Sequence, residues 1–316
     1  MGIPHYPIFK KIRLEDKNLF EKFFAHSPPQ ISEYTFTNLF IWRNYYHFEW
    51  CLWNECLCIL ARPEGKQPFF LPPLCEGNPK ECIKDLLLHL ERQGISVTVQ
   101  MVPEGLVNRY LKDCNYFEIT LDRDNCDYAY LTEDLIKLEG NKFHGKRSHI
   151  NKFKKNHLSH YKPLTPDLVS ECLEMETEWC NLKHCEIFPS LAGEEKAIYE
   201  ALKNKETLAF KGGVILINEK VEAFALGEQL NSQTAVIHVE KANPAFDGLY
   251  QLINQEFCMH EWKNFPYINR EQDLGEEGLR KAKLSYHPHH LVNKYIVKLR
   301  ENCSTECSEK NSSVTV

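Results

Sequence analysis

From Ala235 to Glu240 the chain reads as a short, mostly apolar strand. After a loop, Leu249, Leu252, Ile253 and Phe257 recur at the spacing of a helix with one apolar face. A strand feeding such a helix confines this part of the chain to folds in which helices lie on a sheet. The flanks fit the same scheme. Helices are expected at Asp167–Trp179 and Glu194–Leu202, and short strands at Thr207–Phe210 and Val214–Ile217. The turn Asn218-Glu219-Lys220 then closes a hairpin with Val221–Leu230. Beyond the helix Leu249–His260 come a strand at Ile268–Arg270, a short helix at Glu277–Leu284 and a last strand at Lys294–Leu299.

The first half also alternates. Phe48–Trp53 and Leu57–Leu60 read as a hairpin, and Phe69–Leu71 and Val97–Met101 as strands. In Pro79–Arg92, Ile83, Leu86, Leu87 and Leu90 form one apolar face, and Gly94 stops the helix. A short helix at Glu104–Lys112 and a strand at Phe117–Leu121 follow. At 316 residues the chain suits two domains of roughly 150 residues each. The expected division is 1–135 and 136–300, both α+β, with 301–316 a flexible tail of Ser, Thr, Glu and Asn. The second half's order of hairpin, strand, loop, helix, strand, short helix and strand suggests an N-acetyltransferase type of fold.

A net charge of −6 supplies no global attraction for nucleic acid or anionic lipid. No apolar run is long enough to cross a bilayer, and the N-terminus lacks a secretory pattern, so the expected compartment is the cytoplasm. Thirteen scattered cysteines make a poor disulfide framework. Cys51, Cys56 and Cys58 lie on a strand without paired knuckles, and Cys180 to Cys185, with His184, is the nearest approach to a ligand cluster. Reduced, partly buried thiols and no metal are therefore expected, with Cys303 and Cys307 incidental.

Three stretches carry candidate chemistry. Residues 141–162 contain Lys142, Lys146, Arg147, Lys152, Lys154, Lys155 and Lys162 and no Asp or Glu. Phe143, Ile150 and Phe153 recur at helical spacing, so one face packs while Lys146, Arg147 and Lys152 are either a solvated surface or an anion site. Asp247, Gly248 and Leu249 open the following helix. Asp247 is a suitable N-cap, Gly248 admits a close ligand, and the free N–H groups of the first turn suit a pyrophosphate. On the preceding strand Glu240 is a candidate base towards an amine, or else a partner of Lys241 or Arg270. The third stretch runs from Asn269 to Pro288. Arg270 and Arg280 suit phosphate, Arg270 and Lys283 an oxyanion, Glu271 or Asp273 is placed to orient the nucleophile, and Tyr286 to protonate the leaving group. A fold-stabilising ion network is the competing reading.

Three segments, Ser32 to Arg43, Ile237 to Ala242 and Asn269 to Pro288, closely resemble bacterial proteins grouped with the C-terminal domain of phosphatidylglycerol lysyltransferase. The resemblance covers nearly the whole chain to about residue 300. It implies two tandem N-acetyltransferase-like domains, each a mixed twisted sheet flanked by helices. Relatives with that architecture include lysyl-lipid synthases and Fem-type aminoacyltransferases, which take aminoacyl groups from tRNA. Asp273-Leu274-Gly275, then Gly278-Leu279-Arg280 and Lys283 to Pro288, are similar to the Fem-type run of Asp, Gly and a later Lys-x-x-Phe-x-Pro, with Tyr286 in place of Phe. By that similarity Lys283 inherits a place in the active cleft. The acetyl-CoA loop typical of the wider superfamily keeps only Gly248 here.

The expected function is transfer of an acyl or aminoacyl group to an amine by direct attack, with aminoacyl-tRNA or acyl-CoA as donor. The rivals are an acetyl-CoA-dependent small-amine acetyltransferase and a non-enzymatic nucleic-acid-binding scaffold.

Overall fold

The computed structural model describes residues 2–300, so the expected tail, with Cys303 and Cys307, lies outside the described residues. The chain forms two compact units that do not follow a single boundary at residue 135. One unit gathers residues 2–31, Arg43–Cys126 and residues 292–300; the other gathers Ser32–Trp42 and Asp127–Leu291.

The first unit holds a seven-stranded sheet ordered Lys10–Lys11, Glu49–Trp53, Cys56–Ala61, Phe69–Phe70, Thr98–Pro103, Lys294–Leu299 and Phe117–Leu121. Its one parallel pair, Phe69–Phe70 with Thr98–Pro103, is joined by a crossover that includes the helix Lys80–Arg92. Ile83, Leu86, Leu87 and Leu90 of that helix share a core with Leu60, Phe70, Val99 and Val297, so its periodicity reads out directly. The strand Lys294–Leu299 belongs here rather than to the second domain, because it pairs with Thr98–Pro103 on one side and Phe117–Leu121 on the other.

The second unit repeats the plan. Its sheet is ordered His290–Val292, Asp127–Leu131, Tyr267–Asn269, Thr234–Ala242, Lys220–Gln229, Lys211–Ile217 and Ser159–Pro163. Again one neighbouring pair is parallel, Thr234–Ala242 with Tyr267–Asn269, joined by a crossover that includes the helix Leu249–Phe257. Asn218 and Glu219 both take left-handed conformations, which lets the hairpin close in a tight turn that matches strand twist. The strand expected at Thr207–Phe210 is instead the end of a short helix, Lys205–Leu208, stopped by Ala209 at φ 62°; the strand begins at Lys211. Asp127–Leu131 fills the position beside Tyr267–Asn269, pairing antiparallel with it. No described helix is long and apolar enough to cross a membrane.

The cysteine expectation needs correction at one point. Cys56 and Cys75 are joined by a disulfide within the first unit, the bridged residues lying beside the Leu57–Leu74 backbone pairing. Two cysteines so far apart in sequence meet only because the chain turns back on that strand.

Candidate active site

The site of the second unit begins at an irregularity in its longest strands. Leu226 faces Val239, but the next residue, Gly227, faces Ile237, so His238 is an extra residue in a β-bulge. Gly227 is required there, since a Cβ would lie 2.5 Å from the carbonyl oxygen of Val236. The bulge shifts the phase of the strand. Ala235, Ile237 and Ala242 all join the core under the helix Leu249–Phe257, and Glu240 accepts a 2.7 Å bond from Asn254 of that helix. Lys241 instead pairs with Glu176 and Glu194 of the helices Val169–Lys183 and Pro189–Lys203.

Arg270, just past the strand Tyr267–Asn269, organises the first cluster. Its Nε and Nη2 donate to Glu240 Oε2 at 2.9 and 2.6 Å, while Nη1 is buried with no hydrogen-bond partner among the described residues. The guanidinium lies 4.6 Å from the centre of the Tyr286 ring, and Lys146 Nζ lies 4.1 Å from the same centre. Lys283 Nζ donates to the Arg270 carbonyl, and Tyr130 OH donates to the Lys283 carbonyl at 2.8 Å. Lys146 Nζ also donates to Ser285 Oγ at 2.7 Å. Two cations thus share the Tyr286 ring, Arg270 alone bonds Glu240, and Lys283 joins the cluster through the Arg270 carbonyl. Burial, then the charge of Arg270, lowers both Lys146 and Lys283 to about 8. Burial keeps the Tyr286 phenol above its ordinary range and therefore protonated at neutral pH.

Glu271 faces a different set of partners. It sits at φ 55°, a left-handed conformation costly for a residue with a side chain. Its Oε1 meets His238 Nδ1 at 2.7 Å and accepts from Asn38 Nδ2 at 3.1 Å. The other ring nitrogen of His238 meets Glu228 Oε1 at 2.9 Å. Burial alone would lower this imidazole, but Glu228 and Glu271 raise it to about 10, so it is an imidazolium at neutral pH. Below Glu271, the buried carboxylate of Asp127 accepts from the backbone and hydroxyl of Ser32 and from Asn269 Nδ2, all at 2.9 Å. Ser32, Asn38, Asp127, Glu228 and His238 thus complete a network that single-strand reading of Glu271 missed. The segment containing Ser32 and Asn38 was part of the resemblance, which was the one signal of its involvement.

Asp273 is fully buried and accepts from Tyr128 OH at 2.5 Å, from Arg280 at 2.9 and 2.8 Å, and from the Gly275 backbone at 2.9 Å. Burial opposes its charge, yet these donors hold the carboxyl well below its ordinary value. Asp273 and Arg280 therefore clamp the loop that leads into the helix Glu277–Leu284.

The basic stretch forms the helix His144–Asn156 and is less free than its sequence implies. Lys142 pairs with Asp134, Lys152 with Asp247 and Lys154 with Glu256. Arg147 donates to the carbonyls of Leu138 and Gly140, at the end of the helix Thr132–Lys137. The missing acids of the run come from other elements, which sequence proximity cannot show. Of Lys146, Arg147 and Lys152, only Lys146 enters the Arg270 cluster.

Asp247 does not cap the helix Leu249–Phe257. It is exposed and bound by His149 and Lys152, which lower its carboxyl. Gly248 takes the N-cap position at φ 95°, and a Cβ there would lie 2.4 Å from the His149 carbonyl oxygen. The close approach that this glycine permits is made by the helix His144–Asn156, and Leu249 is fully buried beneath it.

A family model described as the C-terminal part of phosphatidylglycerol lysyltransferase matches residues 24–298. A conserved protein of unknown function from Bacteroides thetaiotaomicron VPI-5482 is 35% identical and superposes with a TM-score of 0.84, over 92% of this chain and 99% of that one. The L-PGS structure from Bacillus licheniformis is 15% identical with a TM-score of 0.63, over 98% of this chain and 96% of the other. FemX is 8% identical with a TM-score of 0.52, over 96% and 100%. The last two similarities concern the fold, a tandem pair of N-acetyltransferase-like units.

Proposed function

Because the chain belongs to the family of the phosphatidylglycerol lysyltransferase C-terminal domain, we propose that it transfers an activated acyl group to an amine, with an aminoacyl ester of tRNA as donor. The general acyltransferase fold is common to its relatives. The observation that carries the reading to this chain is the buried, unpartnered Nη1 of Arg270 in a cluster with Lys146, Lys283 and Tyr286. An N–H donor without a partner in such a place is suited to an oxygen that gains charge during reaction.

In the proposed mechanism the acceptor amine attacks the ester carbonyl, and Arg270 Nη1 donates to the developing oxyanion. Lys283, with a pKa of about 8, is the group able to take the amine's proton and return it to the departing hydroxyl oxygen. Glu240 is a positioning residue, since two guanidinium nitrogens and Asn254 already occupy its oxygens. Tyr286 supplies the flat surface that aligns Arg270 and Lys146. Glu271 and Asp273 hold the two flanks of the loop. In this reading the groups that act on the substrate are Lys283, one of the catalytic candidates expected from sequence, and Arg270, expected there as a phosphate or oxyanion ligand.

The depressed lysine has a readable consequence for stability. Unfolded, Lys283 titrates near 10.5; folded, it binds its proton only below about 8. The unfolded state therefore holds more protons between those values, so this group's contribution to stability rises with pH across the window. Lys283→Met removes it. The melting temperature of the variant relative to the parent is expected to be highest below pH 8 and to decline towards pH 10. A pH-independent difference would assign Lys283 an ordinary, solvated ammonium.

The donor is tested by thermal shift with aminoacyl-tRNA and with acetyl-CoA at low and moderate salt. A ligand at about 100 times its Kd stabilises by roughly 2.7 kcal/mol. A salt-sensitive rise of several degrees with charged tRNA alone is the expected result. Stabilisation by acetyl-CoA alone would replace the donor and make the chain a small-molecule acetyltransferase. Silence from both would favour a non-enzymatic scaffold.

A further inference from the structure

Five of the thirteen cysteines lie between residues 51 and 82, and the first unit gathers them into one core. Cys51 and Cys58 are cross-strand partners on Glu49–Trp53 and Cys56–Ala61. The helix Lys80–Arg92 brings Cys82 onto the same core. Cys58 and Cys82 have their sulfurs 3.8 Å apart. The sulfurs of Cys56, Cys75 and Cys82 all lie within 4.8 Å of one another. Cys82 is thus adjacent both to the disulfide and to the Cys58 thiol.

We propose that this cluster is a metal site of the first unit, in which Cys56, Cys58, Cys75 and Cys82 hold one zinc ion once the Cys56–Cys75 bond is reduced. A tetrahedral ion with zinc–sulfur bonds of about 2.3 Å separates its ligand sulfurs by about 3.8 Å, the spacing already present between Cys58 and Cys82. Cys58 stands outside the trio whose sulfurs lie within 4.8 Å of one another, so Cys56 and Cys75 must close on it, a movement that parting of the disulfide frees. The set is all sulfur, on an apolar core that offers no competing oxygen ligand from Leu60, Phe70, Ile83 or Leu86. Three of the four sulfurs belong to buried residues, while Cys75 is half-buried and gives the ion a way in.

Chemically, a water-soluble phosphine delivers two electrons to the disulfide and becomes a phosphine oxide with oxygen from water. Cys56 and Cys75 become thiols. On metal binding the four thiols release their protons to solvent as four thiolates form.

The test uses the full chain, reduced with the phosphine and freed of it, titrated with zinc alone and then with cobalt(II) as a spectroscopic probe. One equivalent of zinc is expected, with cobalt giving the sulfur charge-transfer and intense visible bands of a tetrahedral thiolate site. Cys82→Ala should weaken binding at least tenfold, and Cys172→Ala, in the second unit, should leave it unchanged. Should the Cys82 variant fail to fold, alkylation of the parent gives the answer: bound zinc should protect Cys56, Cys58, Cys75 and Cys82 and leave Cys114 reactive. Substoichiometric zinc, equal uptake by the unreduced chain, or protection of a different set would overturn the proposal.

Discussion

Arg270→Lys is expected to lower turnover by about 10²–10³-fold, the usual cost of removing one preorganised oxyanion donor. Lysine keeps a positive charge opposite Glu240 but cannot set two separate nitrogens on one carboxylate oxygen while presenting a third elsewhere. The guanidinium does both, through Nε and Nη2 on one side and Nη1 on the other. The loss should therefore fall on kcat, with KM for the donor changed little and the melting temperature lowered only modestly. Single-turnover kinetics with a saturating aminoacyl donor would read it. A variant with parental kcat would remove Arg270 from the chemistry and leave it a partner of Glu240.

A comparably large effect, on stability rather than rate, is expected at Asp273. Asp273→Asn keeps the volume but replaces a carboxylate that four donors address. An amide nitrogen in place of one oxygen would face Arg280 or Tyr128 donor to donor, and the arginine would lose its counter-charge. Breaking a buried pair by changing one partner costs about 3–5 kcal/mol, reduced here towards about 3 because Arg280 is partly exposed. For a unit of this size that is a fall of roughly 6–12 °C in melting temperature. The parent's advantage should also shrink in acid: the folded carboxyl titrates below its unfolded value, so its contribution is present above about pH 4 and fades as pH falls. Differential scanning calorimetry of the two proteins from pH 3 to 7 would measure both. Equal melting temperatures at neutral pH would make the clamp dispensable and return Asp273 to the list of groups free to act on substrate.

Much of the local structure was legible because it rests on periodicity. The apolar stripes of Lys80–Arg92 and Leu249–Phe257 bury the faces that their spacing indicates, and the Asn218–Glu219 turn closes as those residue types allow. The gathering of Arg270, Lys283 and Tyr286 was also legible, since all three lie within seventeen residues and the element between them is short. What failed was partnership across long separations. Asp247 read as a helix cap until His149 and Lys152 were seen to hold it. The basic run read as acid-free because Asp134, Asp247 and Glu256 are supplied from elsewhere in the chain.

By itself, then, the amino-acid order determined the kinds of element, the family and the short loop that carries Arg270. Those follow from interactions within a few residues, where chain connectivity keeps partners close. Tertiary structure alone decided which sheet receives Lys294–Leu299, which carboxylates meet His238, and which cysteines stand together. An edge of a sheet accepts any strand with suitable alternation, and a buried charge accepts any partner of opposite sign. Such choices are made by the burial of whole faces, and no local pattern records them.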